Sequence, residues 1–219
     1  MLSSLLPAEV AVVEAFDDLE DAVLLPGEEA AIERAVPKRR REYTTTRHCA
    51  RLALARLGLP PTAIGSGGNR EPLWPDGVVG SMTHCDGYRA AAVARSGSVA
   101  GVGVDAEPHA PLPEGVFDTI ARPDEVPMLA ALAAAQPEVS WDRLLFSAKE
   151  SVYKAWFPVA GRWLGFGDAS LDVEPGIAAE DGTVAGGYTV RIHQSGAPVT
   201  RMTGRWRVES GFVLTAITL

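Results

Sequence analysis

The stretch GVGVDAEP, residues 101–108, carries an apolar, small-residue strand straight into two acids. Residues 99–104 read as a buried strand, and Asp105 and Glu107 follow with only Ala106 between them. Side chains two apart on an extended chain point to the same side, so this D-x-E sets two carboxylates next to each other at the strand end. Anions that close repel unless something positive lies between them. A hard divalent cation is one solution, and Mg²⁺ typically takes one or two carboxylates together with waters and phosphates. A polar turn with both acids solvated is the other.

A buried strand needs neighbours, and the flanking sequence supplies them. VVGSMTH (78–84) and YRAAAVAR (88–95) read as paired strands around a turn at Asp86-Gly87, and residues 8–16 as a further strand. Residues 26–36 suggest a short helix opened by Pro26. Residues 38–57 predict a strong helix. Arg40, Tyr43, Arg47, Ala50, Leu54 and Leu57 recur every three or four positions, and Gly58, Pro60 and Pro61 end it. The threonine run at 44–46 weakens its early turns. Residues 62–77 form a Gly- and Pro-rich loop.

Beyond the D-x-E, a proline-rich connection (107–115) leads to a helical pattern over 116–135 and a second strong helix over 141–157, stopped by Pro158. Residues 168–219 read mostly as strands. Helices with short antiparallel strands on both sides of the D-x-E predict an α+β fold with an N-terminal part, 1–105, and a C-terminal part, 106–219.

A chain of 219 residues, 47% hydrophobic, can bury a real core. Its net charge of −8 argues against nucleic-acid binding, which needs a basic footprint. The charge is uneven, however. Lys38, Arg39, Arg40 and Arg41, followed by Arg47, Arg51 and Arg56, make a basic knot that implies a local anion site. Cys49 and Cys85 fit no zinc spacing and read as buried, reduced thiols. No apolar run approaches the ~20 residues of a membrane span, and no signal peptide is evident, so a cytoplasmic protein is expected.

Two further stretches bear on the carboxylates. In FSAKESVYKAW (146–156), Glu150 and Lys154 lie one helical turn apart, with Lys149 nearby. Such a pair can be a surface ion pair worth ~0.3 kcal/mol. This helix is apolar around much of its circumference, though, which leaves Glu150 and Lys154 on a narrow polar strip. In GSMTHC (80–85), the small residues admit a ligand close to the backbone, and Ser81, Thr83 and His84 can donate to an oxyanion. A structural histidine at a strand end is the plain alternative. Together these features suit a Mg²⁺-bound polyphosphate.

GVGVDAEP and FSAKESVYKAW resemble the two signature motifs of the 4′-phosphopantetheinyl transferases. RRREYTTTRHCARLAL, REPLWPDGVVGSMTHC and WLGF are similar to the single-chain class serving siderophore, nonribosomal peptide and polyketide synthases, in an actinobacterial style. The resemblance runs from about residue 37 to 167. It implies two similar α+β halves related by pseudo-two-fold symmetry, with the site between them, in a monomer. The implied reaction moves the 4′-phosphopantetheine arm of coenzyme A onto a serine of an acyl or peptidyl carrier protein, releasing adenosine 3′,5′-bisphosphate.

By the same resemblance, Asp105, Glu107 and Glu150 are the Mg²⁺ ligands, and Glu150 is also the general base. Lys154 steadies the α-phosphate. Arg39, Arg47 and His84 hold the phosphates of coenzyme A, with Ser81 and Thr83 in the same cradle and Lys149 a further candidate. Some relatives carry a lysine in the loop before EP-WP, where this sequence has GSGGNREP and Arg70 as its only cation. Arg122, Arg143 and Arg162 are candidates for meeting an acidic carrier helix. A Mg²⁺-dependent phosphohydrolase and a non-catalytic coenzyme A or carrier-binding module are the rival readings.

Overall fold

The structure, a computed structural model, describes residues 1–219. Its elements in chain order are β1 (Ala11–Ala15), α1 (Pro37–Arg56), β2 (Gly65–Ser66), β3 (Pro72–Leu73), β4 (Val78–Cys85), β5 (Tyr88–Arg95) and β6 (Val102–Pro108). Then come α2 (Val116–Ile120), α3 (Val126–Ala135), α4 (Trp141–Ala160), β7 (Ala169–Val173), β8 (Ile177–Ala178), β9 (Val184–Ile192), β10 (Arg201–Glu209) and β11 (Phe212–Thr218). The mixture is α+β, as expected. No helix is long and apolar enough to cross a membrane, and Cys49 and Cys85 are buried free thiols.

Three sheets form, all antiparallel. A three-stranded sheet has the order β1-β5-β4. A six-stranded sheet runs β6-β11-β10-β9-β7, with β8 also on β9. The third is the small β2–β3 ribbon. The β4–β5 hairpin turns at Asp86-Gly87, with Gly87 at φ 75° as such a turn requires.

Helix α1 starts with Pro37 in its first turn and packs Cys49, Ala50, Ala53 and Leu54 on one face of the small sheet. The opposite face of that sheet meets Val102, Val104 and Ala106 of β6 and Leu214 and Ala216 of β11. The far side of the large sheet packs on α3 and α4 through the largest core, around Trp156 and Trp206.

Several expectations need correction. The acids do not end the strand. β6 begins at Val102 and continues to Pro108, pairing with β11 throughout, so Asp105 lies mid-strand opposite Thr215 and is only 5% exposed. The single helix over 116–135 is two: α2 ends at Ile120 with Ala121 extended, and α3 starts at Val126, beyond a turn that holds Pro123. Pro158 does not stop α4. It lies in the last turn, and the helix runs on to Ala160, where Gly161 at φ 64° closes it with its N–H on the Phe157 carbonyl. Residues 26–36 hold only a 3₁₀ turn at Glu29–Ile32, beside a wholly buried Glu28 that pairs with Arg51 and accepts from the amides of Leu25 and Ile64.

Candidate active site

The close approach of α4 to β6 builds the site. A Cβ on Gly103 would lie 2.7 Å from Ala155 N and 2.9 Å from the Ser151 carbonyl carbon, so only glycine lets the helix backbone lie directly on the strand. Thr215, opposite Asp105 on β11, is bonded to the hydroxyl of Ser147 at 2.9 Å and to that of Ser151, which fixes the rotation of α4. Glu150 and Lys154 then face the edge where β4 and β6 meet. Lys154 Nζ donates to Asp105 Oδ1 at 2.7 Å and to the Val104 carbonyl at 3.1 Å.

A cleft of about 810 Å³ opens there between α1 and α4. Nine of the eleven predicted site residues line it: Arg39, Arg47, Arg70, Ser81, Thr83, His84, Asp105, Glu150 and Lys154. A hollow of about 870 Å³ on the C-terminal sheet gathers none of them.

The basic knot mostly serves the fold. Lys38 pairs with Asp86, Arg41 with Asp18 and Arg51 with Glu28, while Arg40 and Arg56 donate to the Ile32 and Val12 carbonyls. Arg39 and Arg47 alone of that run reach the cleft. Arg47 stacks its guanidinium 3.7 Å over the Tyr43 ring and donates to Ser66 Oγ and the Ile64 carbonyl. Arg39 meets the His84 ring, and Glu42 Oε2 lies 3.4 Å from His84 Nδ1. Burial, then the charge of Arg39, pushes the His84 imidazole down to about 3, so it is neutral at pH 7. Arg70 sits at φ 67° in the loop that carries Glu71 and Trp74 over the cleft.

Two predicted residues lie outside this cleft. Lys149 is 3% exposed and points into the C-terminal core. Its ammonium pairs with buried Glu125 at 2.7 Å and donates to the carbonyls of Ile120, Phe166 and Ala169. Adjacent residues on an α-helix point about 100° apart, so Lys149 cannot share the face of Glu150 and Lys154. Glu107 is held by Arg143 at 2.8 Å outside the cleft lining. Arg143 also donates to the Ala110 and Pro111 carbonyls, Arg122 engages Asp124 and the Gly167 carbonyl, and Arg162 bonds the Ser195 carbonyl.

The cradle differs from expectation as well. Ser81 and Thr83 line the cleft but are 2% and 3% exposed, and their hydroxyls bond β6. Sequence reasoning missed Tyr43, Trp74 and Tyr153. Tyr43 is four residues before Arg47 and Tyr153 three after Glu150, so helical spacing contained both. Trp74 arrives from a loop and left no such signal. Beside Glu150 a small pocket of about 110 Å³ is lined by Lys149, Tyr153, Trp163, Leu164 and Phe166.

The donors suit a cation. Asp105 Oδ2 is buried without a hydrogen-bond partner. Glu150 faces the same cleft, and burial, with Asp105 adding to it, raises its carboxyl above the usual range. No three His, Cys, Asp or Glu side chains converge into a ready cage. Two carboxylates completed by water and phosphate oxygens is a donor set that a hard divalent cation such as Mg²⁺ accepts.

Comparison with known proteins gives a consistent result. A model described as the 4′-phosphopantetheinyl transferase N-terminal domain matches residues 27–94, and one described as the 4′-phosphopantetheinyl transferase superfamily matches residues 101–198. The chain is 49% identical to the 4′-phosphopantetheinyl transferase Svp of Streptomyces mobaraensis, over 99% of this chain and 88% of that protein. It is 48% identical to Npt of Nocardia iowensis, over 99% of each chain. It is also 48% identical to PptT of Mycobacterium tuberculosis, over 100% of this chain and 98% of the other.

Proposed function

This chain belongs to the 4′-phosphopantetheinyl transferase superfamily, and on that premise we propose how its cleft carries the 4′-phosphopantetheine arm of coenzyme A to a carrier protein. One observation carries the reading. Cations of α1, the carboxylate of β6 and the Glu150–Lys154 face of α4 meet around one cleft large enough for a nucleotide. Two family models, divided between residues 94 and 101, support two α+β halves, near 1–105 and 106–219, each supplying one wall. Because one chain supplies both walls, a monomer suffices. Buried free thiols are consistent with the cytoplasm.

Asp105 and Glu150 hold Mg²⁺ in this reading. Glu107, next on the same strand face, joins them only by leaving Arg143. When bound, the ion neutralises charge on the pyrophosphate of coenzyme A. Arg39, Arg47 and Arg70 hold the nucleotide phosphates, and neutral His84 adds a hydrogen bond rather than a charge. The small pocket beside Glu150, with its aromatic walls, takes the thiol-bearing arm in this reading.

Glu150 takes the proton of the carrier serine, a role its raised carboxyl suits. The serine oxygen then bonds the phosphorus bearing the arm, and the bond from that phosphorus to the bridging oxygen breaks. Adenosine 3′,5′-bisphosphate leaves. An ammonium has three donors, and Lys154 uses two on Asp105 and Val104, which leaves one for the α-phosphate as charge develops there. Siderophore, nonribosomal peptide and polyketide synthases are the proposed source of carrier domains.

The test is mass spectrometry after mixing the protein with coenzyme A, Mg²⁺ and an apo carrier protein. The carrier gains the arm with the parent protein and stays apo with folded Asp105→Ala. Consumption of coenzyme A without modification would show a hydrolase. Binding without turnover would show a non-catalytic module. Full transfer by Asp105→Ala would remove Asp105 from the site.

A further inference from the structure

We propose that Thr83 is a positioning residue for the metal-binding carboxylate rather than a contact for the phosphates of coenzyme A. β4 is the edge of the small sheet and β6 the edge of the large one, and no backbone ladder joins them. Hydroxyls of β4 take the ladder's place. Ser81 Oγ accepts from Val104 N at 3.1 Å, and Thr83 Oγ1 accepts from Ala106 N at 3.0 Å.

Having accepted from the backbone, the Thr83 hydroxyl directs its own hydrogen elsewhere, and the acceptor within reach is Asp105 Oδ1 at 3.2 Å. Lys154 donates to that same oxygen at 2.7 Å. Both donors therefore fall on Oδ1. Oδ2 is left buried, without a partner, on the one side chain of β6 that lines the cleft. An aspartate carboxyl turns easily about its last torsion, so the split between its oxygens must be imposed from outside. Lys154 is long and flexible and is also assigned to the substrate. Thr83 is β-branched, stiff at χ1 and anchored in a strand, which makes it the rigid member of the clamp. Its burial agrees, since the residue is 3% exposed and its hydroxyl, engaged on both sides, has little left to offer a phosphate.

The inference rests on Asp105 as a metal ligand, and the test separates the two claims. Mn²⁺ is titrated into the protein saturated with coenzyme A, with free ion read by electron paramagnetic resonance. Adenosine 3′,5′-bisphosphate binding is measured separately by calorimetry. Loss of a hydrogen bond that orients a metal ligand typically costs about 10–100-fold in metal affinity. Thr83→Val should lose Mn²⁺ affinity on that scale with bisphosphate affinity unchanged, and Thr83→Ser, which keeps the hydroxyl but not the stiff χ1, should recover most of the loss.

Valine leaves the Ala106 N–H unpaired. If that variant fails to melt cooperatively, Thr83→Ala, which leaves room for a water on that N–H, gives the same comparison. The proposal is overturned if the folded variant binds Mn²⁺ like the parent, or if bisphosphate affinity falls in step, which would make Thr83 a phosphate contact. If Asp105→Asn itself leaves Mn²⁺ binding intact, the metal reading fails, and this role with it.

Discussion

Gly103→Ala tests the contact on which the whole site depends. The added Cβ would stand 2.7 Å from Ala155 N and 2.9 Å from the Ser151 carbonyl carbon, where ordinary contact begins at 3.4 Å. Both atoms belong to the backbone of α4, so no side chain can swing aside. The Ser151 carbonyl oxygen would stand closer still, so the helix and strand must separate by more than about 1 Å, and overpacking of this kind costs about 1–3 kcal/mol. Glu150 and Lys154 ride on that helix and Asp105 on that strand. Misplacement near 1 Å typically costs about 10²-fold in rate, so kcat should fall by about 10–100-fold. Gly97→Ala is the control, because a Cβ there meets nothing within 4 Å. Denaturant melts and steady-state transfer to an apo carrier protein measure the two effects. Unchanged stability would refute the packing. Lost stability with parental kcat would refute the claim that the α4–β6 spacing sets the chemistry.

Lys154→Met keeps most of the stem and removes the charge. kcat should drop by about 10² or more with a smaller change in coenzyme A affinity, and a loss of affinity alone would make Lys154 a ground-state clamp. Lys149→Met should leave adenosine 3′,5′-bisphosphate affinity intact by calorimetry, since Lys149 lies outside the nucleotide cleft, but cost about 3–5 kcal/mol in a denaturant melt, since it strands buried Glu125. Lys149→Met combined with Glu125→Gln should recover much of that loss. His84 gives a pH signature. Its folded pKa of about 3 lies below its ordinary 6.5, so between these values the unfolded chain binds a proton that the folded protein does not. Stability should therefore fall as pH drops below about 6.5, and His84→Gln should flatten that slope in thermal melts at pH 7 and 5.

Much of this protein is determined locally. The β4–β5 hairpin, α1, α4 and the C-terminal strands follow from apolar period and turn residues, signals that need no distant partner. The signature stretches likewise contain Asp105, Glu150 and Lys154, because D-x-E on a strand and an i,i+4 pair on a helix are local geometry. Lys149 was legible too. It falls in step with Leu145, Val152 and Trp156 on the apolar stripe of α4, and stripe position outweighs charge when a partner such as Glu125 is buried opposite.

What the tertiary structure alone decides is which polar groups find partners. Ser81 and Thr83 look like donors awaiting a phosphate until β6 is placed beside β4, and then the backbone of β6 claims them. Glu107 and Asp105 are equivalent in the sequence. Arg143, 36 residues beyond Glu107 in the chain, takes the one, while Thr83 and Lys154 orient the other. Hydrogen bonds and ion pairs act over about 3 Å in space at any separation along the chain, so their assignment belongs to the folded arrangement of strands and helices and not to spacing.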